Sequence, residues 1–312
     1  MAARDESAIE RRAMKPLVGL LYNPMVPAVL EHAPELVECL EVIPDRLWYD
    51  LGPVQLGRRF RHVQGAIEAV RRVSEGRVVA GHGVGLSLPS AIPLDREEVD
   101  HIAAIAVELA FQWYSEHLSV FHAPHSSVPN SLTGFGLPVV YDQETFGILR
   151  TKLATLRAAT GCELLMENGA FLAPLREQPM SEPQFLNRLY AELGCSTLLD
   201  LHNLYASWRN GGPDPMDYLD QLNPACVREI HLGGGDVVEG FYTGSHSDVT
   251  PHMVWSYACT IAPTLRNLRA ITFEFHESYF EKIQLEGILR ELEKIHALSE
   301  AVEAASPFVN LC

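Results

Sequence analysis

Short apolar runs of four to six residues alternate with longer amphipathic stretches along most of the chain. The length and composition of the apolar runs are typical of β-strands, and we place them at Leu17–Leu21, Cys39–Ile43, Val78–Gly81, Phe111–Glu116, Glu163–Met166, Thr197–Leu201, Val227–Leu232 and Ile271–Phe275. The spacing of apolar residues between them predicts helices at Ala28–Val37, Gln55–Val73, Arg96–Leu109, Gln143–Ala159, Glu182–Leu193 and Gln284–Ala304. The first of these helices is short, and a long loop, Gly233–Thr250, follows the seventh strand.

Eight strand-then-helix units in one chain predict an α/β fold of the (β/α)8, or TIM-type barrel, class with a single domain. We expect an N-terminal extension at residues 1–16, the barrel at 17–305 and a C-terminal tail at 306–312. Because periodicity alone does not show that the sheet closes, a doubly wound open sheet is the alternative. The glycine-rich segment Gly81–Gly85 lacks the third glycine of a dinucleotide-binding fingerprint, so nucleotide binding is poorly supported.

Composition narrows the functional classes. The chain has 24 Lys and Arg against 40 Asp and Glu, a formal charge of −16, which argues against a nucleic-acid partner. No run approaches the ~18 apolar residues of a membrane span. Asn23, Pro24 and Pro27 interrupt the apolar stretch near the start, which does not resemble a signal peptide. The six cysteines are scattered, as expected of reduced thiols, and we expect a cytoplasmic protein.

Histidine is the residue whose distribution is unusual. Nine of the 13 histidines lie at or just after the predicted strands, at positions 82, 117, 122, 125, 202, 231, 246, 252 and 276. The other four, His32, His62, His101 and His296, lie in predicted helices. Since the carboxyl ends of barrel strands converge on one mouth, the first group should meet where TIM-type enzymes hold their active sites.

Carboxylates occupy the same positions, at Glu41, Glu167, Asp200 and Glu274. Several acids and imidazoles in one cleft need compensating charge, and a donor set without thiolate suits Fe, Mn or Zn. So many donors exceed the capacity of one ion, and two or three ions fit the count better.

A lone histidine at a strand end is usually structural, and His122, His125, His252 and His276 carry no more than that expectation. For six other residues, which lie at the ends of successive strands, a purely structural role would have to be assumed separately each time. We therefore predict a catalytic metal site formed by His82, His117, Glu167, Asp200, His231 and Glu274. Asn203 is a further candidate, because its amide oxygen can bind a hard ion, and it is favoured over Asn168.

Six motifs occur in a recognisable order, at Gly81–Leu88, Ser115–Leu118, Met166–Asn168, Leu199–Asn203, Ile230–Gly234 and Phe273–Phe275. Together with the spacing from His246 to Trp255, they resemble the multinuclear non-heme iron-dependent oxidative enzymes, the MNIO family. The resemblance covers about residues 17–298. It also implies that the fourth strand ends at His117, although the pattern alone would make Leu118–Phe121 β-like.

The resemblance implies a TIM-type barrel with two or three irons that uses O2 to modify a residue, often Cys or Asp, in a ribosomally synthesised precursor peptide. Known outcomes in the family include heterocycle formation and excision of a cysteine β-carbon. Many members work with a separate partner protein that recognises the leader peptide. Carried over by motif, the metal ligands are His82, His117, Glu167, Asp200, His231, His246 and Glu274, with Asn203 as a possible addition.

Two positions depart from the family pattern. Gly244 stands where the family usually has an aspartate, two residues before His246, and His202 stands where many members have asparagine. The missing carboxylate leaves open whether two or three irons bind. Either His202 substitutes for the missing ligand, or that coordination position is left to the substrate.

The expected reaction brings a substrate thiolate and O2 together at the iron cluster, with mixed-valence iron as a plausible reactive form and no protein nucleophile. Two rival interpretations use the same residues. One is a Mn- or Zn-dependent TIM-barrel isomerase or hydrolase, which needs no O2. The other is a non-catalytic barrel that binds metal or peptide, an interpretation that Gly244 favours.

Overall fold

The structure is a computed structural model that describes residues 15–51, 59–122, 132–173, 175 and 177–304. Eight parallel strands form a closed barrel in chain order. They are β1 (Leu17–Leu21), β2 (Cys39–Val42), β3 (Val78–Gly83), β4 (Trp113–His117), β5 (Glu163–Glu167), β6 (Ser196–Asp200), β7 (Val227–Leu232) and β8 (Ala270–Phe273). The register of β1 against β8, with Leu17 opposite Ala270, closes the barrel and excludes the open sheet.

Helices follow the strands and cover the outside of the barrel. Within the described residues they are α1 (Val26–His32), α2 (Gln64–Val73), α3 (Arg96–Glu108), α4 (Gln143–Thr160), α5 (Glu182–Leu193), α6 (Leu201–Arg209), α7 (Pro215–Gln221), α8 (His252–Ile261) and α9 (Phe280–Ala304). Short 3-10 turns lie at Pro34–Leu36, Pro44–Leu47, Pro224–Cys226, Ala262–Thr264 and Glu277–Tyr279. Three antiparallel hairpins pair Trp48–Asp50 with Phe60–His62, Val120–His122 with Leu132–Leu137, and Val237–Val238 with Phe241–Tyr242.

Local sequence explains where the helices begin and end. Ser181 and Gln184 form a reciprocal capping box at the start of α5. The Asp142 side chain accepts a hydrogen bond from the Thr145 amide at the start of α4. The helix ends at Gly161, whose φ of 70° is accessible to glycine at little cost. None of the described helices has the length and apolar composition needed to cross a bilayer.

The interior of the barrel has two layers, because alternate residues of each strand point inward. The lower layer is an apolar cluster of Cys39, Ala80, Trp113, Leu165, Leu198 and Ala270. Two residues further along the strands stand Glu41, His82, Ser115, Glu167, Asp200 and Thr272, all buried. The strand repeat therefore fills the bottom of the barrel with hydrocarbon and places polar side chains at its carboxyl end.

Most predicted elements are present, with boundaries shifted by a few residues. Strand β4 ends at His117, as the family resemblance implied, and Val120–His122 forms a separate hairpin strand. Helix α1 ends at His32 because a 3-10 turn starts at Pro34, so the predicted helix Ala28–Val37 is too long. Helix α9 is interrupted at Gln284, whose φ is 61°, the position where the pattern started the regular helix.

One prediction is wrong in kind. The segment predicted as the helix Gln55–Val73 begins instead with the strand Phe60–His62, and the helix starts only at Gln64. Cross-strand contacts favour the hairpin: Phe60 packs edge-on against Trp48, and the Arg59 guanidinium pairs with the Asp50 carboxylate. Residues 55–58 of that prediction, and nearly all of the predicted N-terminal extension and C-terminal tail, lie outside the described residues.

Candidate metal centre

The histidine of the Gly81–Leu88 motif points into the barrel because its two flanking glycines face the other way. A Cβ on Gly83 would lie 2.0 Å from the Tyr114 hydroxyl, and a Cβ on Gly81 would lie 2.3 Å from the Phe111 ring. No larger residue fits against these side chains. The glycines therefore allow close packing of β3 on its outer face and place His82 in the interior.

His82, His117 and Glu167 form the first cluster of donor atoms, on β3, β4 and β5. The Ser115 hydroxyl donates to the Gly81 carbonyl, so it accepts the 2.8 Å hydrogen bond from His82 Nδ1. His117 Nδ1 likewise donates to the Gly83 carbonyl, 3.2 Å away. Both rings therefore direct a proton-free Nε2 towards Glu167 Oε2, at 3.6 Å from His82 and 3.0 Å from His117.

Glu167, Asp200 and His231 form a second cluster on the next strands, so Glu167 belongs to both. Glu274, just past β8, extends this group, with its Oε2 atom 3.2 Å from His231 Nδ1 and 3.5 Å from His246 Nδ1. Asp200 and His231 are completely buried. The structure thus brings together all six residues predicted as the catalytic site and places His246, a ligand implied by the family resemblance, beside them.

Several buried donor atoms in this region lack a hydrogen-bonding partner among the described residues. They are both oxygens of Glu41, Glu167 Oε2, Asp200 Oδ2, His202 Nδ1, both ring nitrogens of His231 and His246 Nδ1. Buried polar atoms are nearly always paired, and unpaired ones at contact distance from each other need a cation or a proton between them. This donor set, imidazole plus carboxylate without thiolate, fits Fe, Mn or Zn ions.

Burial keeps two imidazoles of the metal-free cluster neutral, as metal binding needs, and keeps protons on its acids. At His231 burial is outweighed by the charges of Glu274 and Glu41, which raise the pKa of this imidazole well above its usual range. Burial lowers the pKa of His117 to about 4 and that of His202 to about 3, which keeps both rings neutral near pH 7. The same burial raises the pKa of Asp200 to about 6 and that of Glu167 well above its usual range. Protons on the acids therefore offset the charge of the metal-free site, and metal ions would displace them.

Asn203 is anchored by its amide nitrogen, which leaves its amide oxygen as the atom available to a ligand. Its Nδ2 atom donates to Glu167 Oε1 at 2.9 Å and to the Asn168 carbonyl at 3.1 Å, which fixes the orientation of the amide. The backbone amide of Asn203 also donates to Asp200 Oδ1. The remaining amide oxygen faces Gly244, where a Cβ would lie 3.4 Å from it.

His202 and His246 face one another near Gly233. A Cβ on Gly233 would lie 3.1 Å from His246 Nδ1 and 3.6 Å from His202 Nδ1, and both nitrogens are unpartnered. His202 Nε2 contacts the Tyr242 hydroxyl at 3.3 Å. Its Nδ1 atom is therefore the one available to a ligand, on the side that faces Gly233 and His246.

Glu41 and Glu229 are two buried acids that we did not include in the predicted site. Glu41 Oε2 lies 2.9 Å from His231 Nε2, and together with Glu229 these residues form a third donor cluster. Glu229 is satisfied by hydrogen bonds of 2.6 Å from Trp113 Nε1 and the Thr272 hydroxyl. The signal for Glu229 was its spacing, two residues before His231 in a strand, which places both side chains on the inner face.

The cluster opens into a cavity of about 410 Å³ at the carboxyl end of the barrel. His82, His117, Glu167, Asn203, His246 and Glu274 lie in its wall, while Asp200, His202 and His231 lie deeper. Ile43, Phe121, Phe171 and Leu172 contribute apolar surface, and we call this cavity the mouth cavity. His276, which we expected to be structural, also lies in its wall, whereas His252 begins α8 and His125 lies outside the described residues.

The fold and this donor set define a TIM-type barrel with a candidate multinuclear metal centre at its mouth. Residues 18–300 match the family model described as RiPP precursor modification enzyme MbnB/TglH/ChrH, where RiPP denotes a ribosomally synthesised and post-translationally modified peptide. The chain therefore belongs to this family, which confirms the resemblance found in the motifs.

Sequence relatives and a solved structure are also similar to this chain. A UPF0276 protein of Chromobacterium violaceum is 31% identical over 240 residues, which cover 77% of this chain and 84% of that protein. A UPF0276 protein of Caulobacter vibrioides is 30% identical over 76% of this chain and 78% of its own length. A xylose isomerase domain-containing protein of Salmonella typhimurium superposes with a TM-score of 0.59 at 10% identity, covering 92% of this chain and 98% of its own, which confirms the fold alone.

Proposed function

We propose that this protein is an O2-dependent oxidative enzyme with two or three iron ions that modifies a cysteine residue in a ribosomally synthesised precursor peptide. The observation that carries the proposal is the set of unpartnered buried imidazole and carboxylate atoms at the mouth of a barrel from this family. Modifications in keeping with the family are excision of the cysteine β-carbon or formation of a heterocycle.

The proposed ligands are His82, His117, Glu167, Asp200, His231, His246 and Glu274, with His202 or Asn203 completing the set. Iron bound there would supply open coordination positions for a substrate thiolate and for O2. The protein's own residues prepare the donors. Ser115 and Gly83 fix the tautomers of His82 and His117, and the Asn203 amide holds the Glu167 carboxylate.

The remaining residues of the mouth cavity would bind and orient the peptide. The side chains of Phe121, Phe171 and Leu172 offer apolar surface beside the donors, which would exclude water from the reacting residue. Positioning the cysteine β-carbon in this way is the main contribution expected of the protein, because the oxidative chemistry belongs to the metal. We also propose a separate partner protein that recognises the leader peptide, and a cytoplasmic location.

The test is to purify the protein anaerobically from cells grown with iron, to determine its metals by mass spectrometry, and to measure O2 consumption with a cysteine-bearing precursor peptide. Two or more irons per chain and peptide-dependent O2 uptake would support the proposal. Fewer than two irons, together with no O2 uptake, would exclude it. Turnover that persists without O2 would instead indicate a Mn- or Zn-dependent isomerase or hydrolase, and binding without turnover a non-catalytic barrel.

A further inference from the structure

A second cavity, of about 550 Å³, lies beside the mouth cavity between α5, α6 and α7, and we call it the side cavity. Phe171 belongs to the walls of both cavities. The ring of Phe171 occupies the space that a side chain on Gly169 would need, since a Cβ there would lie 2.2 Å from its Cζ atom. One aromatic side chain, held just past the end of β5, therefore separates the proposed metal centre from the second cavity.

The side cavity has a polar end formed by Glu182, Tyr141 and Tyr218. The Tyr141 hydroxyl donates to Glu182 Oε1 at 2.8 Å, and the Gly169 amide donates to the same oxygen at 3.3 Å. Tyr218 is only 2% exposed, and its hydroxyl lies close to the Glu182 carboxyl without reaching good hydrogen-bond geometry in the described part of the chain. A buried hydroxyl held beside a partly buried carboxyl without a well-formed hydrogen bond leaves room for a ligand that bonds to both groups.

No basic side chain of the described residues pairs with Glu182, which stands in the first turn of α5. Tyrosine hydroxyls and a backbone amide act on this carboxyl. Burial raises its pKa to about 7, so ionising it costs free energy unless a cation arrives. The cavity wall includes the apolar residues Pro138, Met180 and Leu204 beside the polar Gln178 and Gln221. An aliphatic wall ending in an acid matches the side chain of arginine or lysine, which has a hydrocarbon stem and a cationic end.

We propose that the side cavity is a specificity subsite that binds an arginine or lysine side chain of the peptide substrate, with the cationic group at Glu182 and Tyr218. The inference rests on the proposed function for the identity of the ligand as part of a peptide. Because the two cavities share Phe171, a peptide whose modified residue occupies the mouth cavity would place a neighbouring residue in the side cavity. No metal takes part in this recognition.

The test uses n-butylguanidinium, which reproduces the end of an arginine side chain, and n-butylurea, its neutral near-isostere. Binding of each probe to the wild-type protein, Glu182→Gln and Tyr218→Phe is measured by ligand-detected NMR titration, and the comparison of the variants locates the site. Glu192→Gln is the matched control, because it removes the same charge from an exposed position on the same helix. Glutamine keeps an oxygen that can accept the Tyr141 hydrogen bond, so we expect Glu182→Gln to fold.

We expect n-butylguanidinium to bind the wild type and the Glu192→Gln control equally. Glu182→Gln should weaken this binding by about tenfold or more, as expected for loss of a hydrogen-bonded charge pair, and Tyr218→Phe should weaken it less. Equal affinity for n-butylurea, no effect of Glu182→Gln, or no saturable binding of either probe would overturn the proposal. The iron content of the same samples is measured separately, so failure of probe binding is distinguishable from failure of the proposed function.

Discussion

The two layers inside the barrel are built by the same strands and differ by two residues along the chain. The lower layer, around Trp113, Leu165 and Leu198, is apolar and tightly buried. Its one acid, Glu229, has a hydrogen-bond donor on each carboxylate oxygen. In the upper layer Glu167, Asp200 and His231 keep buried atoms without partners among the described residues.

The difference separates the part of the barrel that stabilises the fold from the part that is reserved for a ligand. Glu229 shows that this chain can satisfy a buried carboxylate when the acid is structural. The unpaired atoms two residues above it are therefore not a general feature of the barrel interior. Their confinement to the carboxyl end, where TIM-type barrels hold active sites, is the physical basis for proposing a metal centre there.

The largest expected effect comes from Glu167→Ala, because Glu167 belongs to two donor clusters. Loss of a residue that only supports a metal ligand typically costs about 10–100-fold in affinity or activity. Because Glu167 is itself a proposed ligand, we expect the variant to lose most of its iron and more than about a hundredfold of its O2-dependent turnover. Metal analysis and O2 uptake measure the two losses. The matched control is Leu165→Val, two residues earlier on the same strand, which should retain its iron. Equal iron content in both variants would contradict the assignment.

Leu198→Ala should destabilise the fold but keep its iron, the opposite of what we expect for Glu167→Ala. Truncating a fully buried leucine should lower the free energy of unfolding by about 2–5 kcal/mol while leaving iron bound to the folded protein. Asp200→Asn, two residues later on β6, should lose iron with little change in the stability of the metal-free protein, since asparagine can still cap α6. Urea denaturation and metal analysis distinguish them. A destabilisation of similar size in both variants would show that the upper layer stabilises the fold as much as the lower layer does.

The contrast between the layers also explains how far sequence alone could lead. Strand positions and the six residues His82, His117, Glu167, Asp200, His231 and Glu274 were accessible because period-2 strands end in polar residues. Glu229 was missed because it occupies a mid-strand position, where the pattern leads one to expect an apolar residue. The side cavity could not be predicted, since Glu182, Tyr141 and Tyr218 come from separate segments that only the fold brings together. The hairpin strand Phe60–His62 was mistaken for helix because its stabilising contacts are across strands.

Each acid of the upper layer should make the metal-free protein less stable as pH rises, whereas the buried imidazoles of His117 and His202, whose pKa values are lowered, act in the opposite direction below about pH 6.5. Complete burial raises the pKa of Glu41 from 4.5 to about 8, so the folded state binds its proton more tightly than the unfolded state. This contribution is fully present below pH 4.5 and is lost between pH 4.5 and 8, with a slope of up to about 1.4 kcal/mol per pH unit. Urea denaturation of metal-free protein at several pH values measures it. In Glu41→Gln the free energy of unfolding should fall less steeply, or rise more steeply, with pH over this range than in the wild type. An unchanged pH dependence would refute the assignment.

The smallest expected effect concerns Gly244, where the chain departs from the family pattern. A Cβ there would lie 3.3 Å from Ala170 Cβ and 3.4 Å from Asn203 Oδ1, so an aspartate fits after a small adjustment. We expect Gly244→Asp to change the free energy of unfolding by less than about 1 kcal/mol. If the missing carboxylate limits the wild type to two irons, the variant should bind one more iron per chain.

Substitution of His202 tests whether His202 replaces the carboxylate missing at Gly244 or whether that coordination position is left to the substrate. If His202 already supplies the missing ligand through Nδ1, then His202→Asn should lose one iron, and adding Gly244→Asp should restore it. If that coordination position is left to the substrate, His202→Asn should keep the wild-type iron content, and Gly244→Asp should raise metal binding while weakening peptide binding. Metal analysis of the two single variants and the double variant separates these outcomes, because only the first explanation makes the substitutions compensate each other.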